Sequence, residues 1–319
     1  MSKNFGESTT ASATYAGFSE KNLEEVTQGS IVVFGAPADS TLPRRSGSSN
    51  GPKAIRQATM NALTSYFNSP SKTVVSLDTG KPSRFKSEVI GIDLGDLADC
   101  TEVTTETLKQ IEQLTARVSD SEGLPVLLGG DGRILEGMTT GLQSSSSELG
   151  LLVISNRLDI PKANGLTSKT LSSLLSVSPK SDNYPILTIG TNGIQPHENW
   201  KEIKKVHGNI ISAEDIHEQG EEIALNAIQQ FSLKNNQILC VIDAGVLDTG
   251  FAAGTPGLNV GGLTPLQLTE ILSKANIASK LVGICVSNVA PLLDARGHTQ
   301  YAVAEALLAV MGERLFEEI

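Results

Sequence analysis

Cysteine is scarce in this chain. Its three residues in 319, Cys100, Cys240 and Cys285, are too few and too scattered for a disulfide framework or a zinc ribbon. Cys240 and Cys285 fall inside apolar, strand-like runs, which marks them as buried thiols rather than redox groups. Long hydrophobic stretches are also lacking. Nowhere do about eighteen apolar residues run together, as a membrane-spanning helix would need. The first thirty residues hold no apolar core of signal-peptide length. A soluble, cytoplasmic protein is the expectation. Basic residues are outnumbered, 25 Lys and Arg against 35 Asp and Glu, for a formal charge of −10. That balance removes the general attraction to nucleic acid or anionic lipid that a basic surface supplies.

What the sequence does contain is an alternation of short apolar, β-branched runs with longer segments of helical period, the pattern of a parallel sheet covered by helices on both faces. Strands are predicted at 30–36, 73–78, 88–96, 124–131, 149–156, 184–191, 236–243 and 280–288, enough for an eight-stranded, mainly parallel open sheet. Amphipathic spacing predicts helices over 51–67, 105–119, 168–177, 220–232 and 264–275, and over the closing stretch 301–319. Asn50-Gly51-Pro52 and Thr264-Pro265 place a capping side chain or a proline at helix starts. The run Ser144 to Ser147 is a loop of low complexity. Residues 1–29 read as an extension, partly flexible, and 30–319 as a single α/β domain, since no repeat or long linker divides the chain.

In open α/β sheets, ligands gather at the carboxyl ends of the strands. Those ends read LGGDG (128–132), SNRLD (155–159), IGTNGI (189–194), DAGVLD (243–248) and SNVAP (287–291). The polar cluster Ser155, Asn156, Arg157 and Asp159 stands out because an arginine sits at its centre.

The stretches GAPADSTLPRRSGSSNGPKAIRQA (35–58), LGGD (128–131), VIDAGVLDTGFAAGTPGLNVGGLTP (241–265) and VGICVSNVAPLLD (282–294) resemble the ureohydrolases: arginase, agmatinase and formiminoglutamase. The likeness covers nearly the whole chain after residue 30, and GTPGLNVGGLT is its most specific part. The resemblance implies a three-layer αβα sandwich, assembly as trimers or hexamers, and hydrolysis of guanidino or formimino carbon–nitrogen bonds with a manganese pair. The metals lower the pKa of a bridging water, and carboxylates neutralise the cations.

This chain departs from that pattern at the ligand motifs. The family's GGDH is Gly129-Gly130-Asp131-Gly132 here, its DAHxD is Ser155-Asn156-Arg157-Leu158-Asp159, and its Asp-x-Asp is Asp243-Ala244-Gly245. Of the six ligand positions the resemblance implies, Asp159 and Asp243 keep a carboxylate. Gly132, Ser155, Arg157 and Gly245 cannot act as the family's ligands. The resemblance further puts Thr167 where a proton-transfer histidine stands, and Asn288 where a glutamate clamps the guanidinium. An amide can hydrogen-bond that group but cannot neutralise it.

These departures imply a metal-free pocket formed by the vestigial positions, with Asp131, Asn156, Thr167 and Asn288 as candidate ligand contacts. Arg157, a charged fork of N–H donors, is expected to bridge Asp159 and Asp243 in place of the lost cations. Asp243 reads equally well as a cap of the following turn, and Asp248 as an organiser of its loop. The histidines, His197, His207, His217 and His298, lie outside the ligand motifs and read as surface or structural residues. Arg44, Arg45 and Arg56 resemble positions used for loop order and helix packing, with an exposed Arg44-Arg45 pair also open to contact with an anionic ligand. Gly129-Gly130 is a tight strand-end turn without the lysine of a phosphate loop, and GTPGLNVGG lacks dinucleotide-loop spacing. The expected function is a catalytically silent, arginase-like pseudoenzyme with no cofactor. It would bind a small ligand or a related active subunit, or serve as a regulatory or structural oligomer. The alternative is a divergent hydrolase of a guanidino or amidino compound with weak or single manganese binding.

Overall fold

A computed structural model describes residues 13–39, 46–75, 80–143, 149–158, 185–194, 200 and 208–319. Within them the chain forms strands β1 (Ser19–Glu20), β2 (Ile31–Ala36), β3 (Thr73–Val75), β4 (Pro82–Phe85), β5 (Gly91–Asp96), β6 (Leu124–Gly129), β7 (Leu149–Ile154), β8 (Ile186–Thr191), β9 (Asn209–Ser212), β10 (Gln237–Asp243), β11 (Leu281–Ser287) and β12 (Phe316–Glu318). The main sheet has nine strands in the order β1-β5-β2-β6-β11-β10-β7-β8-β9, and every neighbouring pair is parallel. Strands β2, β6, β7 and β8 are buried along their full length. This explains their near-continuous Val, Ile and Leu content: a strand covered on both faces has no polar side to alternate with.

The helices are α1 (Gly51–Ala62), α2 (Thr64–Asn68), α3 (Thr105–Asp120), α4 (Leu135–Gln143), α5 (Ala213–Gln219), α6 (Glu222–Lys234), α7 (Pro265–Lys274), α8 (His298–Val310) and α9 (Gly312–Leu315). One face of the sheet packs Ile154 and Ile242 with Ile228 of α6, Leu268 and Ile271 of α7 and Val303 and Leu307 of α8. The other packs Phe34, Val241 and Cys285 with Ile111 of α3 and Leu135 and Met138 of α4. The three layers follow from this alternation, each buried aliphatic side chain contributing about 1.5–3 kcal/mol relative to exposure. Thr264 caps α7 in a reciprocal box with Gln267, with Pro265 in the first turn.

The sheet differs from the sequence reading in three places. The 73–78 run supplies β3, which leaves the main sheet and pairs antiparallel with β4 in a separate β12-β4-β3 sheet. Edge strands β1 and β9, two and four residues long, are too short to carry a period. The closing stretch is helical only to Val310, apart from the single turn of α9, and ends as β12. Helices α4 and α5 add to those expected, the 51–67 helix is broken into α1 and α2, and the 168–177 helix and the 144–147 loop lie outside the described residues. Some of the segment before residue 30 joins the core: Tyr15 is fully buried, its ring lies edge-on to Phe18, and its backbone N–H donates to Asp93 Oδ2 at 2.7 Å.

Candidate functional site

Three adjacent strands, β7, β10 and β11, end side by side and bring the motif residues together. Asp243 is in register with Ser287. Ser155 immediately follows β7, and its hydroxyl donates to Asp243 Oδ2 at 3.3 Å. The other carboxylate oxygen of Asp243 accepts the Gly245 N–H at 2.8 Å, capping the 3-10 turn Ala244–Val246. Of the two readings of Asp243, the turn cap is what the geometry shows. Asp131 caps its own turn in the same way after β6, accepting the Arg133 N–H at 2.8 Å where the turn begins with Gly132. Asn288 adopts a left-handed backbone, φ 64°, and its N–H donates to the Gly130 carbonyl at 2.8 Å, locking β11 to the Gly129-Gly130 turn. Glycine is required at 130, because a Cβ there would overlap the carbonyl of Ala38.

Arg157 does not do what the sequence reading expects. Its backbone N–H donates to Ser155 Oγ at 3.2 Å, but among the described residues no ion pair joins its guanidinium to Asp243. The guanidinium instead lies over Gly257 of the glycine-rich loop, where a Cβ would overlap Nη2. Asp243 is held instead by Ser155 and Gly245. Asp159, its other expected partner, and Thr167 lie outside the described residues, as do Arg44, Arg45, His197 and His207. His217 makes a structural contact, Nε2 to the Gly262 carbonyl at 3.1 Å, and His298 is exposed at the start of α8.

Residues that the motif reading passes over complete the site. Asn259 holds the glycine-rich loop against the strand ends by donating Nδ2 to the carbonyls of Gly245 and Val246, each at 3.1 Å. Asn192, after β8, donates to Asn259 Oδ1 at 2.9 Å. Asp248 pins the same loop through the N–H groups of Gly250 at 2.7 Å and Gly261 at 2.6 Å, as its sequence position implies. At these strand ends two of the buried polar atoms without a hydrogen-bond partner among the described residues are Asn156 Oδ1 and Ser287 Oγ. Beneath the site the thiols are inert. Burial pushes Cys240 up to about 12; Cys285 is raised by burial first, then by Cys240 and the Asp243 charge.

Among the described residues the donor set does not suit a manganese pair. Among the described residues no three His, Cys, Asp or Glu side chains converge on a point. At the implied ligand positions that are described, Asp243 alone carries a carboxylate, beside two glycines, a serine and a guanidinium.

The fold and the strand-end cluster define an open parallel α/β protein with its site at the sheet's carboxyl edge. The chain belongs to the arginase family, whose profile matches residues 29–312. An agmatinase of Bacillus cereus is 25% identical over 280 residues, 86% of this chain and 88% of that protein. A formimidoylglutamase of Bacillus subtilis is 26% identical over 294 residues, 89% and 87% of the two chains. The crystal structure of formimidoylglutamase from Bacillus subtilis subsp. subtilis str. 168 superposes with a TM-score of 0.77 at 22% identity, covering 98% of this chain and 96% of that one, and so shares the fold. Among the described residues no helix is long and apolar enough to cross a membrane.

Proposed function

We propose that this arginase-family chain is a metal-free, catalytically silent member that works by binding rather than by hydrolysis. It would act in the cytoplasm as a homo-oligomer, trimer or hexamer, or beside a related active subunit, in a regulatory or structural role. The observation that carries the reading is the donor set. Arg157 stands where the resemblance places a histidine ligand, and Ser155, Gly132 and Gly245 stand where it places two carboxylates and a further histidine. A cation there would meet a fixed positive charge and too few anionic oxygens.

Metal analysis of the purified protein and melting with and without manganese test the reading together. A ligand that binds only the folded state at a hundred times its Kd adds about 2.7 kcal/mol of stability. The expected outcome is no bound manganese and an unmoved melting temperature. Stoichiometric metal with an upward shift would overturn the proposal. The second reading, a divergent hydrolase of a guanidino or amidino compound using weak or single manganese, is favoured by the carboxylate at Asp243 and by the activities for which the relatives are named. Saturable manganese-dependent release of urea or ammonia from such a compound is its signature.

A further inference from the structure

We propose that the strand-end pocket takes a small oxyanion that also carries a hydrogen-bond donor, the oxyanion meeting the guanidinium of Arg157 and the donor meeting Asn156. The inference rests on the metal-free reading and names the ligand class of that same site. Its first support is Arg157 itself. Arg157 is partly buried, and its guanidinium lies against Gly257, which has no side chain to displace it. Among the described residues no ion pair neutralises it and no hydrogen bond fixes its fork. A partly desolvated guanidinium with its fork unused is matched best by a carboxylate or phosphate, which it can hold through parallel N–H bonds.

The second support is independent of charge. Asn156 is 7% exposed and its Oδ1 has no partner, a costly state for a buried acceptor. That oxygen stands beside Gly245. It lies 3.2 Å from the point where a Gly245 Cβ would sit, and Asp243 Oδ1 lies 3.0 Å from the same point. Two acceptor oxygens therefore stand together beside the Gly245 backbone, and a donor N–H or O–H reaching Asn156 Oδ1 satisfies the orphan. Ser287 Oγ, 1% exposed and likewise unpartnered, sits on the neighbouring strand in register with Asp243. Glycine and serine have replaced anionic ligands, and a guanidinium has been added, so the charge the pocket favours has moved from cation toward anion.

The test titrates the full chain by calorimetry at constant ionic strength with inorganic phosphate, N-carbamoylglycine, acetate and methylguanidine. Phosphate and N-carbamoylglycine each join an oxyanion to a donor, acetate has the oxyanion alone, and methylguanidine is a cation. Saturable binding of phosphate assigns a phosphate-type ligand, and of N-carbamoylglycine a carboxylate-type one. Either should exceed acetate, and methylguanidine should not bind. Arg157→Gln is expected to weaken the bound anion about tenfold or more, the loss of one charged hydrogen-bonding partner, with Arg157→Lys recovering some of it. Asn156→Ala, which removes the orphaned acceptor, should narrow the advantage over acetate. Binding of neither donor-bearing anion, unchanged affinity in a folded Arg157→Gln variant, or preference for methylguanidine overturns the inference. Failure of anion binding in a protein that also ignores manganese sinks this inference alone. A manganese-dependent melt sinks the metal-free reading and this inference with it.

Discussion

Two arginines of this chain meet opposite environments. Arg56 has no exposure, and its fork is fully used: Nε donates to Asp93 Oδ2 at 2.8 Å, Nη2 to Asp93 Oδ1 at 2.9 Å and Nη1 to Asp96 Oδ1 at 2.5 Å. Burial pushes its pKa down, but the Asp93 hydrogen bonds and charge, with Asp96 behind them, outweigh that and raise it, so it stays charged. Arg56→Met strands two carboxylates, one of them buried, and should cost about 3–5 kcal/mol, read by urea unfolding. Arg157→Gln removes no pairing partner among the described residues, and its effect on stability should stay within about 0.5 kcal/mol. A large loss there would mean the guanidinium has a structural partner. Sequence alone points Arg56 to helix packing and Arg157 to a carboxylate bridge. For the first, the structure ties the α1 helix to β5 through Asp93 and Asp96, partners that the sequence did not name. The second is not met at Asp243, because the guanidinium rests on Gly257, a hundred residues away and with no side chain to mark it, while Asp159 lies outside the described residues.

At the level of elements, the long buried strands announce themselves because burial on both faces demands unbroken apolar runs, whereas β1 and β9 are too short to carry a period and β12 pairs with β4, far away in sequence. The start of α8 shows a local device that residue types alone hide. Asp294 accepts from the Thr299 N–H at 2.7 Å, the Thr299 hydroxyl at 2.8 Å, the Gly297 N–H at 3.0 Å and the Arg296 N–H at 3.1 Å. Burial raises its pKa, but these donors pull harder, Thr299 foremost, and the net shift is downward. A carboxyl depressed in the folded state stabilises fully above its unfolded value of about 3.9 and loses that contribution as pH falls toward the folded value. Asp294→Ala should therefore cost about 1 kcal/mol at neutral pH, partial exposure keeping the figure small. The gap between the two melting curves should close only below about pH 4. A gap that persists unchanged in acid would assign the loss to packing instead of charge.

For the whole molecule, the family's ligand positions offer a test of lineage as well as of function. Reinstating the motif with Gly132→His, Ser155→Asp, Arg157→His and Gly245→Asp returns anionic and imidazole donors to the carboxyl edge of a sheet that already has the family's topology. Without metal the change should be harmful. A Cβ at residue 245 sits 3.0 Å from Asp243 Oδ1 and 3.2 Å from Asn156 Oδ1, so the new aspartate is both crowded and close to a like charge. Crowding of this kind costs about 1–3 kcal/mol, and the metal-free variant should melt below the parent. Manganese should reverse the order: at a hundred times its Kd it returns about 2.7 kcal/mol, while the parent stays indifferent. The paired result, lower without metal and rescued by it, separates a rebuilt cage from nonspecific cation binding, which would move both proteins alike. A variant that folds yet ignores manganese means the ligand positions were carried over to the wrong residues. Arginine hydrolysis should not return in either case, because Asn288 still stands where the family clamps the guanidinium with a glutamate, and an amide leaves that charge unbalanced.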